Sequence, residues 1–248
     1  MRLSFPACVI LALMYTWKTI RKVLVMSLKT PAQDPVFACC DFSSQAAGGC
    51  WAAMPASLLI LGKGKILKKK LIDLIPEFNL IEDSALREKV LAAWDEAIKL
   101  GGWEVGDLEK IPFTLSLKDC PINLKDHVRG VTQACVSIEK IFKKIYNGKI
   151  KINRDSLVAG ALLHDVGKLL ECKKEGGKYI KSRSGYLLRH PFSGVALCYK
   201  HGIPEDILHL IAVHSKEGEG FKRTTEAIIL NHADFANFDV FSLDVALE

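Results

Sequence analysis

The chain has 248 residues, of which 49% are hydrophobic and 25% are charged, with 18 Gly and 9 Pro. This composition excludes a fully disordered chain, a collagen and a coiled coil, and it suits one sizeable globular domain with an appendage. Residues 1–70 carry ten Lys/Arg and two acids, whereas residues 71–248 carry 24 bases against 26 acids. Because the main body is nearly neutral, we predict no general nucleic-acid binding.

The amino-terminal region has two apolar runs, residues 5–15 and 51–61, that are each too short to cross a bilayer. Basic residues follow the first run without a small-residue cleavage site, which disfavours a secretory signal peptide. Residues 30–49 show no periodicity. We therefore predict that residues 1–63 are an irregular, dispensable extension.

Residues 65–75 place leucines and an isoleucine at helical spacing between four lysines, and Pro76 ends the pattern. Such a basic amphipathic helix could make a weak contact with an anionic membrane surface. The favoured interpretation is a helix docked on the domain, with its lysines in solvent. Residues 64–119 are predicted to form a helical lead-in to the main domain.

The eight cysteines are scattered, and no pair has the C-x-x-C spacing of a zinc ribbon or redox motif. Those that fall in amphipathic stretches are expected to be buried small hydrophobes. This usage favours a reducing, cytoplasmic compartment.

From residue 84 onwards, apolar residues recur at helical spacing between Gly, Asn and Pro breaks. No run of alternating strand character is present, and the polar residues 173–184 are predicted to be a loop. The fold class is therefore predicted to be all-α. The predicted helices are residues 84–100, 105–110, 124–146, 154–170, 190–201, 204–214 and 224–239.

The most informative pair is His164-Asp165, which lies on an otherwise apolar helix. A buried imidazole and carboxylate need a partner that offsets their desolvation, and a metal ion is the strongest such partner. Alone, the pair would be explained better as a capped or salt-bridged helix end. Further candidate ligands lie at helix-sized separations, which lets several helices present them to one interior point. They are His127, His190, His214 and Asp234.

This ordered set resembles the HD-domain superfamily of metal-dependent phosphohydrolases. The resemblance covers about residues 120–240 and implies an HD-type domain over 120–248, a helical bundle with a metal site in its core. The motifs that carry it are Asp126-His127, His164-Asp165-x-Gly-Lys168 and His190-Pro191-x-x-Gly194.

The resemblance implies two divalent metal ions (Mn, Fe, Co, Ni or Mg) with Asp165 as a bridging and catalytic residue. His127, His164 and Asp234 would hold the first ion with Asp165, and His190 and His214 the second. Lys168 is expected to bind a substrate phosphate, although a lysine complementing a helix C-terminus is the alternative. Weaker candidates for substrate binding are Arg129, Arg189 and Lys216.

The implied function is hydrolysis of a phosphomonoester or phosphodiester bond in a small molecule, which is expected to be a nucleotide. A hydroxide that bridges the metal ions would be the attacking group. A mixed-valent di-iron oxygenase with the same ligands is the first alternative, and a non-catalytic nucleotide-binding module is the second. His214-Ser215-Lys216 departs from the His-His-Glu of cyclic-di-GMP phosphodiesterases, which argues against that substrate. His201, His209 and His232 do not fit the ligand order, but His232 is a candidate for contacting a ligand.

Overall fold

A computed structural model describes residues 67–243. The predictions made for residues 1–63 lie outside this range. Within it, the all-α class is confirmed: the chain forms nine helical segments, three short 3-10 turns and one small two-stranded sheet. The helices are α1 (residues 67–74), α2 (Ser84–Gly101), α3 (Leu124–Ile145), α4 (Arg154–Leu163), α5 (Lys168–Glu171), α6 (Arg183–Leu187), α7 (His190–Lys200), α8 (Glu205–Val213) and α9 (Thr225–Leu243), with 3-10 turns at Pro76–Leu80, Val105–Glu109 and Lys216–Gly218.

The predicted loop at residues 173–184 is wrong in its first part, because the chain forms an antiparallel hairpin there. Strand β1 (Cys172–Glu175) pairs with β2 (Lys178–Lys181), and Glu175 lies opposite Lys178. The two glycines between the strands have φ of 57° and 78°, a turn conformation that glycine adopts without steric cost. Four-residue strands are too short to give a clear alternating pattern in the sequence.

The predicted helix over residues 154–170 is interrupted. Helix α4 ends at Leu163, residues 164–167 form a turn, and α5 begins at Lys168. The break falls at the His164-Asp165 pair. It leaves both side chains at the end of a buried helix.

Helix α4 is the centre of the core, and its residues from Ser156 to Leu163 are all buried. It packs against α2, α3, α8 and α9. Trp94 of α2 is fully buried and donates its indole N–H to the carbonyl of Leu162 at 3.0 Å. Because each neighbour fixes α4 from a different side, the residues at its end have a defined position.

Residues on both sides of position 119 share one hydrophobic cluster, which includes Leu71, Phe78 and Trp94 together with Leu162 and Leu169. The predicted division between lead-in and main domain therefore crosses a continuous core.

Helix α1 lies within the predicted basic amphipathic segment. Leu71 and the following Ile75 are fully buried, and Lys68 forms an ion pair with Glu88 of α2. This packing favours the docked helix over the membrane-surface alternative. In the described part of the chain, no helix is both long and apolar enough to cross a membrane.

Three of the four cysteines in the described residues are buried free thiols, at positions 135, 172 and 198. Burial raises the pKa of Cys135 and Cys198 to about 12, so both thiols are protonated at neutral pH. They are small core residues, as the sequence predicts.

Candidate metal centre

Six polar side chains meet in the interior where the central helices converge. Three come from the bodies or first residues of helices, and three come from the turns that directly follow helix ends. The residues are His127 on α3, His164 and Asp165 after α4, His190 at the start of α7, His214 after α8, and Asp234 on α9.

The first group joins two imidazoles and two carboxylates. The Nε2 atoms of His127 and His164 lie 3.3 Å apart, and they are 3.2 and 3.3 Å from Oδ2 of Asp165. Oδ1 of Asp234 completes the group at 3.1 Å from the His127 Nε2. Ligand atoms of His127, His164 and Asp165 thus face one point, and the Asp234 oxygen lies beside the two imidazoles.

The second group uses the other oxygen of the same aspartate. The Nε2 atoms of His190 and His214 lie 3.2 Å apart, and they are 3.4 and 3.8 Å from Oδ1 of Asp165. One carboxylate therefore presents one oxygen to each pair of imidazoles. This is the arrangement in which a single aspartate can serve two ions.

The outer nitrogens of two histidines are fixed by backbone carbonyls at helix ends. Nδ1 of His164 donates to the carbonyl of Ala161 at 2.7 Å, and Nδ1 of His214 donates to that of Ile211 at 2.8 Å. In the neutral imidazole, a proton on Nδ1 leaves a lone pair on Nε2. When both rings are neutral, these lone pairs point into the centre, as metal coordination requires. In the metal-free centre, burial lowers the pKa of His164, but the charges of Asp165 and Asp234 outweigh burial and raise that pKa, so His164 loses a proton when a metal binds.

The local electrostatics favour the neutral form of His214 and the ionised forms of Asp165 and Asp234. Burial and the nearby charge of His164 lower the pKa of His214 to about 3. Burial alone would raise the pKa of Asp234, but the hydrogen bond from His127 outweighs it and lowers that pKa to about 2. The pKa of Asp165 is also well below its usual range, because the charges of Lys168 and His164 overcome its desolvation.

The donor set fits a divalent cation. Asp165 is fully buried, and its Oδ1 atom accepts no hydrogen bond from any residue in the range 67–243, which is costly for a buried carboxylate oxygen. Imidazole nitrogens and carboxylate oxygens are ligands for Mn, Fe, Co, Ni and Zn. A cation between the second pair of histidines would satisfy this oxygen.

Lys168 lies at the edge of the centre. Its Nζ is 2.6 Å from Oδ2 of Asp165 and 5.4 Å from the centroid of the Phe113 ring, which stacks on His127. The side chain also lines the adjoining cavity. The alternative role at a helix C-terminus fits less well, because Lys168 is the first residue of α5.

A cavity of about 870 Å³ opens beside the centre and reaches Asp165, His190 and Asp234. Arg189 and Lys216 line it, as expected of substrate-binding residues. Arg129 does not line it, because its guanidinium donates to both oxygens of Glu77 at 3.0 and 3.1 Å. The candidate role of Arg129 is therefore corrected: it joins α3 to the 3-10 turn at residues 76–80.

Glu171 is a site residue that the sequence reasoning did not select. Its Oε2 accepts hydrogen bonds from Nδ1 and from the backbone N–H of His190, at 2.9 and 3.0 Å. Burial raises its pKa, but the bond from His190 prevails and lowers it to about 2. No local spacing in the sequence links Glu171 to His190, which lies 19 positions later.

Glu171→Gln is expected to weaken metal binding at the second group by about 10–100-fold, because a carboxylate that orients a ligating histidine contributes on this scale. Metal titration of the purified variant would measure this loss. Glu175→Gln is the matched control, since Glu175 is exposed and, in the described part of the chain, forms an ion pair with Lys173 alone. Unchanged affinity in Glu171→Gln would contradict the positioning role.

The remaining histidines lie apart from the centre. His201 is 2.6 Å from Glu96, and His209 has a buried Nε2 without a hydrogen-bond partner in the described residues. His232 is exposed, so the expectation that it contacts a ligand is wrong. It lies two residues before Asp234 and therefore on a different face of α9.

Comparison with known proteins gives a matching family model, the HD domain, over residues 124–235. The chain is 29% identical over 116 residues to the dihydroneopterin 2′,3′-cyclic phosphate phosphodiesterase of Methanocaldococcus jannaschii, covering 46% of this chain and 45% of that protein. It is 34% identical over 86 residues to ribonuclease Y of Acidothermus cellulolyticus, covering 35% of this chain and 15% of that protein. The chain thus spans less than half the length of these relatives, and no solved structure matches it significantly.

Proposed function

We propose, because residues 124–235 match the HD-domain family model, that the chain is a metal-dependent phosphohydrolase that cleaves a phosphoester bond of a nucleotide-like substrate. The observation that carries this proposal is Asp165, whose two oxygens face two separate pairs of imidazoles. A centre that holds two ions side by side is suited to displacement at phosphorus.

His127, His164 and Asp234 would hold one ion with Asp165, while His190 and His214 would hold the other. When bound, divalent ions at these positions lower the pKa of water and neutralise negative charge on phosphoryl oxygens.

The chain's own residues bind and orient the substrate in the cavity. Lys168 supplies a compact positive charge next to Asp165, where it can hold a phosphate oxygen. Phe235 and Phe238 are half-buried and line the same cavity, and the fully buried Phe113 supports Phe238 edge-on at 5.9 Å between ring centroids. These aromatic surfaces suit a planar heterocycle attached to the phosphate.

The names of the two relatives support a phosphodiester rather than a phosphomonoester. One is named for a 2′,3′-cyclic phosphate, and the other is named as a ribonuclease. Both substrates contain a phosphate with two ester bonds. We therefore propose phosphodiester hydrolysis as the first activity to test.

The test uses full-length protein purified without air and loaded separately with Mn, Fe(II), Co, Ni or Mg. We expect about two ions per chain, and metal-dependent release of p-nitrophenol from bis-p-nitrophenyl phosphate that EDTA abolishes. A 2′,3′-cyclic nucleotide and a nucleoside monophosphate then distinguish diester from monoester cleavage. Absence of hydrolysis with every metal, in protein that binds two irons in a mixed-valent state, would overturn the proposal in favour of the oxygenase alternative.

A further inference from the structure

The β1–β2 hairpin and α6 concentrate positive charge on one short segment. Residues 172–189 contain six Lys/Arg and one Glu, whereas the rest of residues 71–248 contains 18 Lys/Arg and 25 acids. The segment is therefore net +5 in a body that is otherwise net −7. The six cations are Lys173, Lys174, Lys178, Lys181, Arg183 and Arg189. We call residues 172–189 the basic hairpin segment.

The basic hairpin segment also forms part of the cavity wall beside the metal centre. Tyr179, Ile180 and Lys181 of β2, Tyr186 of α6, and Arg189 all line that cavity. A chain that extends out of the cavity can therefore continue directly across this segment.

Several of these cations are available to a ligand. Lys174, Lys178 and Arg183 are exposed and form no ion pair with any other residue in the range 67–243. Lys181 and Arg189 share Glu171 at 3.6 and 3.7 Å, so their charges are partly neutralised. These three unpaired cations belong to the same segment but do not line the cavity.

Aromatic rings alternate with these cations. The Nζ of Lys174 lies 5.8 Å from the Tyr179 ring centroid, and that of Lys181 lies 5.6 Å from the Tyr186 ring centroid. Tyr186 is 77% exposed, so its ring is open to a stacking partner. Basic side chains that follow a backbone, together with exposed rings for bases, are typical of single-strand nucleic-acid binding.

We propose that the basic hairpin segment binds single-stranded nucleic acid, with the phosphates and bases next to the reacting diester lying across it. The position of the reacting diester rests on the proposed function, but binding by the segment does not. This replaces the prediction of no general nucleic-acid binding, because the near-neutral total of the body concealed a local patch. An exposed ring favours an unpaired base over a duplex, and a lipid headgroup offers no ring to stack.

The test measures fluorescence anisotropy of a labelled single-stranded RNA of about 12 nucleotides. Full-length protein is titrated in EDTA, so that the RNA stays intact. The variant K174E/K178E/R183E reverses the unpaired cations. The matched control K140E/K143E/K144E makes the same change in charge at exposed lysines of α3 that do not line the cavity.

We expect the hairpin variant to bind at least about tenfold more weakly and the control to stay within about twofold of wild type. The slope of log affinity against log salt should become shallower by about 2, since each lost phosphate contact removes about 0.7 for single strands. Tyr186→Ala should weaken binding by about fivefold or more through loss of stacking.

Equal losses in the two triple variants would overturn the proposal, because total charge would then explain binding. Equal affinity for a duplex of the same length would also overturn the proposal. The same holds if the hairpin substitutions weaken binding to phosphatidylserine vesicles but leave RNA binding unchanged. Hydrolysis of bis-p-nitrophenyl phosphate by wild type is measured in parallel. RNA binding without hydrolysis would refute the proposed function alone, and hydrolysis without hairpin-dependent RNA binding would refute this inference alone.

Discussion

Asp165→Ala is expected to abolish phosphoester hydrolysis and to remove metal from both groups of ligands. Its Oδ2 lies within 3.3 Å of the two imidazoles of the first group, and its Oδ1 lies 3.4 and 3.8 Å from the Nε2 atoms of the second group. Loss of a residue that merely orients a ligand costs about 10–100-fold, so loss of a shared ligand should cost more than about 100-fold. Metal analysis and the rate of p-nitrophenol release check both effects.

The control is His209→Ala, which removes an imidazole that contacts neither group. It should retain metal content and activity. His190→Ala gives an intermediate comparison, because it removes a ligand of the second group only and should leave one ion per chain. If Asp165→Ala and His209→Ala had equal effects, Asp165 would not be the shared ligand.

Gly167→Ala is expected to displace the start of α7 and with it the second group. An added Cβ would lie 2.1 Å from the carbonyl oxygen of His190 and 2.8 Å from the backbone nitrogen of Gly194. Gly167 has φ of −65°, which any residue can adopt, so its requirement for glycine is steric. Backbone atoms cannot rotate away, and overpacking of this kind costs about 1–3 kcal/mol.

The measured result should be a fall from about two ions per chain towards one, with helical circular dichroism retained. Gly106→Ala is the matched control, since its added Cβ would meet nothing within 4 Å and its φ is not positive. Two ions in Gly167→Ala would show that the close approach of the turn after α4 to α7 does not position His190.

The sequence alone predicts most of the helices and the residues that form the centre. Apolar spacing specifies an amphipathic helix locally, and Asn123 and Asn153 cap α3 and α4 through contacts three residues away. The helix-sized separations of His127, His164, His190, His214 and Asp234 therefore predict that these residues can meet. The matching HD-domain model covers this same stretch.

The tertiary structure decided what depends on contacts between distant residues. Arg129 is directed to Glu77, 52 positions earlier, and Glu171 to His190, 19 positions later. Neither pairing has a local periodic signal. The division of the Asp165 oxygens between two pairs of imidazoles also depends on how four helices pack.

The charge distribution on the surface is a further property that the composition of the chain did not predict. Composition gave a nearly neutral body, and only the fold placed the cations of residues 172–189 beside the cavity and away from most acids. Local spacing determines which face a side chain takes on its own helix. Electrostatic and ligand-binding surfaces form between elements, so they are determined only when those elements pack together.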